Sequence, residues 1–197
     1  MFNINILTKT DKPKGFARLI MYDPADGRVI HTTKSPVDTE KDFLGKLYEV
    51  FRRMQGKEFT IDGDKFTANT TTLDARMAAA RLLSGDISYK ASRIEWGNGG
   101  ISTVAQRSDT DLGGPLAPRI FTGIEGYEFP QNNIIKMTST LRNEVSNEII
   151  REIGLRTEAI TPSHPNGLLL AHWFADAGIP KTAANFYIGA QWIYIYM

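Results

Sequence analysis

The chain has 197 residues, 42% of them hydrophobic, so it can bury a sizeable core unaided; having no cysteine excludes disulfide staples, thiolate zinc sites and cysteine nucleophiles. Its 23 basic and 22 acidic side chains leave a net charge of +1, which removes the basic excess by which nucleic-acid binders hold phosphate. No stretch approaches the ~20 apolar residues that span a bilayer, and Lys9 follows the start too soon for a signal-peptide core, so the expectation is a soluble protein assembled in a reducing cytoplasm.

From Phe2 to Leu7 apolar and polar residues alternate, with Phe2, Ile4 and Ile6 on one side, as in a half-buried strand. Phe16 to Tyr22 reads as a second strand and Arg28 to Thr33 as its return. Between them Asp23-Pro24-Ala25-Asp26-Gly27 is a turn in which proline presets φ and glycine accepts a left-handed position. At Thr39 to Met54 the period changes: Phe43, Leu44, Leu47, Val50, Phe51 and Met54 gather on one face of an amphipathic helix capped by Asp38 or Thr39. Asp62-Gly63-Asp64 fits a tight hairpin within Glu58 to Ala68. Leu73 to Leu83 is a second, alanine-rich helix. Thr71 and Asp74 are spaced like a capping box, and Ser84-Gly85 supplies the stop.

Beyond residue 86 the pattern is β: strands at 87–96, 120–129, 133–141, 150–155, 167–174 and 185–196, with a long loop at 101–119 carrying Gly113-Gly114-Pro115 and Pro118. The expected fold is mainly β. A small α+β region spans residues 1–68, a helix and an antiparallel β-sandwich fill 69–197, and two amphipathic helices lie in the N-terminal half. The last strand is apolar on both faces, from Trp192, Ile193, Tyr194 and Ile195 to Tyr196 and Met197. A strand of that kind is covered on both sides, either by a helix or loop of its own chain or by a neighbouring subunit. Those six residues, with Leu112, Leu116 and Ile120 around the long loop, are the candidate interface residues.

Catalytic chemistry finds little support. His31, His164 and His172 form no HxxxH pair, and a metal set of His164 and His172 with Asp176 or Glu158 is weaker than the reading of one loop and one strand histidine. There is no Gly-x-Ser-x-Gly elbow. Gly97-Asn98-Gly99-Gly100 lacks the Lys-Ser/Thr pair of a nucleotide loop, and Asp109-Thr110-Asp111 does not continue into a calcium loop. Arg151-Glu152 reads as a surface charge pair, and Trp96, Trp173 and Trp192 read as core. No catalytic residue, metal or cofactor is expected.

The order of the pieces is more telling. Helix 69–86 closes on Leu83-Ser84-Gly85-Asp86, and a strand ends at Ile94-Glu95-Trp96-Gly97-Asn98-Gly99-Gly100. A loop with Asp111-Leu112-Gly113 follows, then Glu152-Ile153-Gly154-Leu155, then Gly167-Leu168-Leu169-Leu170-Ala171-His172-Trp173-Phe174. Ile179-Pro180-Lys181-Thr182 and Gln191-Trp192-Ile193-Tyr194-Ile195 close the series. This order, over residues 69–197, resembles a group of tailed-bacteriophage virion proteins related to tail-fibre and baseplate-associated modules. His172 stands where that group usually has arginine, and Trp96 interrupts the glycine-rich strand end. The resemblance implies a structural part of a virion, in the tail, baseplate or neck, packing against copies of itself and other virion proteins. It implies assembly in the host cytoplasm, with no nucleic acid or membrane as partner. A capsid decoration or head-fibre protein is the alternative within that class. A carbohydrate-binding sandwich that takes a host surface glycan is the alternative outside it.

Overall fold

The computed structural model describes residues 14–32, 59–61, 64–66, 70–99, 105–106, 108–131, 134–142, 147–181 and 186–195. The strand expected at 2–7 and the helix expected at 39–54 lie outside them.

The first hairpin forms as its alternation and turn require. Strands β1 (Lys14–Tyr22) and β2 (Val29–Thr32) are joined by a turn in which Gly27 takes φ +71° and donates its N–H to the Asp23 carbonyl at 2.8 Å. Asp23 and Asp26 accept further backbone N–H groups through their side chains, from Ala25 and Arg28. Strands β3 (Phe59–Ile61) and β4 (Asp64–Phe66) make a short separate hairpin, at the place where Asp62-Gly63-Asp64 predicts one.

Next come β5 (Thr70–Thr71) and helix α1 (Asp74–Leu83). The expected capping box is absent: Leu73 is the N-cap and no side chain caps the helix. Thr71 is held in β5 opposite Ala171, while Thr72 gives its hydroxyl to the Leu169 carbonyl and its N–H to Leu170. Bonds to a distant strand thus replace the local cap. The helix stops where expected, with Gly85 at φ +91° and its N–H on the Leu82 carbonyl.

Strand β6 (Ala91–Gly97) starts later than the sequence suggests, because Asp86 caps a single 3-10 turn at Ile87–Tyr89 through the Ser88 N–H and hydroxyl. Strand β7 (Pro115–Gly123) starts earlier, so the expected loop ends at Gly114. The strand expected at 120–129 is two, β7 and β8 (Gly126–Gln131), which lie in different sheets. Between them Ile124 donates to Ser92 in one sheet and Glu125 to Thr138 in the other. Strands β9 (Ile134–Leu141), β10 (Glu148–Thr157), β11 (Leu169–Lys181) and β12 (Tyr187–Ile195) complete the fold.

All pairings are antiparallel, in two five-stranded sheets of order β2-β1-β12-β9-β8 and β5-β11-β10-β6-β7. This is the sandwich expected, with one α-helix among the described residues rather than two. Residues 14–32, which the sequence grouped with an N-terminal region, share a sheet with β12: Lys14 faces Ile195 and Tyr22 faces Tyr187. Strand β12 is central, its Ile188, Ala190 and Trp192 packed inward with Leu19, Met137 and Leu141. The second sheet meets them with Ile94, Trp96, Ile153, Leu155, Ala171 and Trp173. Burying side chains of this size stabilises by roughly 1.5–3 kcal/mol each. One polar relay crosses the core: Trp96 Nε1 donates to Thr122 Oγ1 at 2.7 Å, and Thr122 meets Ser139 of the facing sheet at 2.6 Å. Among the described residues no helix is long and apolar enough to cross a membrane.

Candidate functional site: a buried charge cluster beneath a loop

Strand alternation gives the second sheet two unlike faces. Trp96, Ile153, Leu155 and Trp173 point into the sandwich, and the residues between them, Glu95, Glu152, Gly154, Arg156 and His172, point the other way. Register brings these outer residues together: Gly154 lies opposite Glu95 on one side and His172 on the other. A charged outer face is ordinarily solvated. Here Glu95 and Glu152 have no exposed surface, and Arg156 and His172 are 1% exposed.

The cover is the segment 108–114. Leu112, 6% exposed, is seated over Gly154; a Cβ there would stand 2.9 Å from Leu112 Cδ2 and 2.6 Å from Leu169 Cδ1. Gly97 serves the same close approach, since its Cβ would lie 2.6 Å from the Gly114 carbonyl. Gly154→Val should therefore destabilise the fold by about 1–3 kcal/mol through overpacking. Urea unfolding measures this, and an unchanged midpoint would mean that Leu112 is not seated there.

Two sets of polar bonds clamp the segment. In the first, Glu152 accepts the Gly113 N–H at 2.6 Å, the Gly114 N–H at 2.9 Å and His172 Nε2 at 2.6 Å. His172 Nδ1 lies 2.6 Å from Asp109, which also accepts the Gln106 N–H at 2.7 Å. In the second, Arg156 reaches Glu95 through Nε, Asp111 through Nη2 (both 2.5 Å) and the Gly167 carbonyl through Nη1 at 2.8 Å. Arg119 bonds the same two carboxylates, Glu95 at 2.6 Å and Asp111 at 2.5 and 2.8 Å.

These surroundings move the titrating groups in different directions. Burial pushes the Glu95 carboxyl upward, against the pull of Arg156 and Arg119. Burial also works to raise Asp111, but the Arg119 hydrogen bond and the charges of both arginines hold it below the usual range. Burial alone would lower His172; the bonds and charges of Glu152 and Asp109 outweigh it, and the imidazole is raised.

Comparisons with family models, with curated proteins and with solved structures find no match to this chain.

The geometry corrects one sequence expectation and places the other candidate residues. Glu152 is no surface partner of Arg151; strand parity turns it under the 108–114 segment. His164 and His172 do not meet: His164 Nε2 lies 3.2 Å from Asp74, while His172 belongs to the cluster. Among the described residues no group of three or more His, Asp or Glu is placed to hold a metal. Of the candidate interface residues, Leu112, Leu116 and Trp192 are buried within the chain's own fold, and Ile120 packs against the core. Residues 108–114, the end of the expected loop, are thus anchored on the chain's own second sheet, because Gly154 leaves room for Leu112 and the charge clamps hold its flanks. The side chains of Ile193, Tyr194 and Ile195, and residues Tyr196 and Met197, lie outside the described residues.

The cluster itself was missed in the sequence. Its members come from the glycine-rich strand end, the Asp-Leu-Gly loop, the Glu-Ile-Gly-Leu strand and the Leu-Leu-Ala-His strand, four pieces of the series described above. The available signal was that Glu95, Glu152, Arg156 and His172 each stand directly beside large apolar residues or alanine in their strands, as in Ile94-Glu95-Trp96 and Ala171-His172-Trp173.

Proposed function

We propose that the protein is a structural component of a tailed-bacteriophage virion, acting in the tail, baseplate or neck through packing against copies of itself and other virion proteins. The observation that carries the reading is how the cluster uses its charges. Four of the motifs that resemble those virion proteins meet in it, and its carboxylates are engaged by arginine, histidine and backbone N–H groups of the same chain. Such an arrangement fastens a loop to a sheet.

Native mass spectrometry of the purified protein, with peptide mass spectrometry of purified particles, tests this. A stable multimer together with peptides of this chain in the particles is the expected result; a monomer absent from particles would overturn the proposal. Because assembly by packing needs no cofactor, neither a chelator nor ATP with magnesium should shift the melting temperature. A reproducible shift of several degrees with either would point to a bound metal or nucleotide.

A second reading has one observation in its favour. Tyr127 and Phe129 of strand β8, at one edge of the first sheet, are 42% and 69% exposed, and exposed aromatic rings can stack on sugar rings. Binding on a glycan array that Phe129→Ala abolishes would favour the host-glycan alternative.

A further inference from the structure

The contacts of His172 constrain its proton count. Both ring nitrogens lie 2.6 Å from carboxylate oxygens, Nδ1 from Asp109 and Nε2 from Glu152. A neutral imidazole has one N–H and one bare lone pair, and an ionised carboxylate has only lone pairs. With both carboxylates ionised, the two contacts together need a proton on each nitrogen. Removing one sets a nitrogen lone pair against a carboxylate oxygen in a buried place, where an unpaired polar contact costs most.

The two carboxylates have different anchorage. Glu152 is rooted in β10 and also holds the Gly113 and Gly114 N–H groups. Asp109 belongs to the covering segment and is partly exposed. The other charges beside them, Glu95 of β6, Arg119 of β7, Arg156 of β10 and Asp111 of the segment, are bonded to one another. Strand β5, on the other side of β11, places Thr70 and Thr71 next to His172 and Ala171 and brings no charge. His172 is thus the ionic tie between the second sheet and the Asp109 end of the segment.

We propose that Asp109, His172 and Glu152 form a proton-dependent latch that fastens the 108–114 segment to the second sheet and loosens the whole segment when the imidazole loses a proton. The raised imidazole sets the direction. A group raised on folding contributes stability that is fully present below its unfolded value, near 6.5 for histidine, and that is lost as pH rises through the folded value. The latch is therefore closed below the ordinary histidine value and opens as pH rises through the raised folded value. This inference does not depend on what the protein assembles with.

The test uses the full chain. Nuclear magnetic resonance follows the His172 imidazole between pH 5 and 10, and amide exchange gives the protection of Gly113 and Gly114 after correction for intrinsic base catalysis. His172 should titrate above the ordinary histidine value. Protection of both glycines should then fall with it, approaching about tenfold per pH unit past the midpoint until the segment opens by other routes. In Asp109→Asn the imidazole loses one anionic partner, so its midpoint and the onset of lost protection should both move to lower pH. A neutral His172 at pH 6, or glycine protection independent of pH, would overturn the proposal. Should the variant fail to fold, the wild-type titration decides alone.

Discussion

Arg156→Met should be among the most damaging single substitutions in this protein, costing about 3–5 kcal/mol. Methionine fills much the same volume, so the loss is chiefly electrostatic. Glu95, with no exposed surface, would keep only Arg119, while Asp111 and the Gly167 carbonyl would each lose a donor. For a chain of this length each kcal/mol is worth about 2–4 °C, so the melting temperature should fall by roughly 10 °C. The deficit should shrink on acidification. Glu95 already resists ionisation through burial, and without Arg156 it accepts a proton at still higher pH, which removes the stranded charge. Glu95→Gln combined with Arg156→Met should recover much of the loss, because it removes the charge that the single variant strands. Urea unfolding of the set measures this; a cost below about 1 kcal/mol for Arg156→Met, the scale of an exposed ion pair, would mean that the cluster is solvated.

Deleting Ile193–Met197 should leave the chain unable to fold. Strand β12 is central, and Ile193, Tyr194 and Ile195 each face one residue of β1 (Phe16, Gly15, Lys14) and one of β9 (Lys136, Ile135, Ile134). The truncation removes both ladders at one end of the sheet and ends the chain directly after Trp192, a fully buried core residue. Net ladder bonds of about 1 kcal/mol each, lost on both sides of the strand, are comparable to the lower end of the 5–15 kcal/mol that hold a whole domain together. Circular dichroism and solubility report the outcome. A soluble truncation that melts cooperatively near the wild-type temperature would show that these residues matter only beyond the chain's own fold.

The parts of the fold legible in the sequence are those with a local cause. The hairpin at 14–32 announces itself through alternation and the Pro-Gly turn, and α1 through its alanine content and Gly85. Both turn on residues a few positions apart. The start of β7 was hidden because Pro115 and Pro118 argue against a strand; β7 is an edge strand, where a missing N–H leaves no ladder bond unmade. The passage from β7 to β8 was hidden for another reason: a chain that changes sheets keeps its β character, so no periodicity marks the crossing. The charge cluster was illegible because its bonds join residues far apart, such as Asp109 with His172 and Glu95 with Arg156. A charged residue in a strand reads as solvent-facing unless the covering segment is known, and that segment read as a plain loop.

The pairing of β1 with β12 also bears on how the fold is reached. During synthesis β1 emerges early with only β2 beside it, and its other neighbour follows some 170 residues later. The second sheet draws its strands from residues 70–181, so its ladders can close while the first still lacks its middle strand. Closing so long a loop is entropically slow, and until it closes β1 presents an unpaired edge. Completion of the first sheet thus waits on the synthesis of β12.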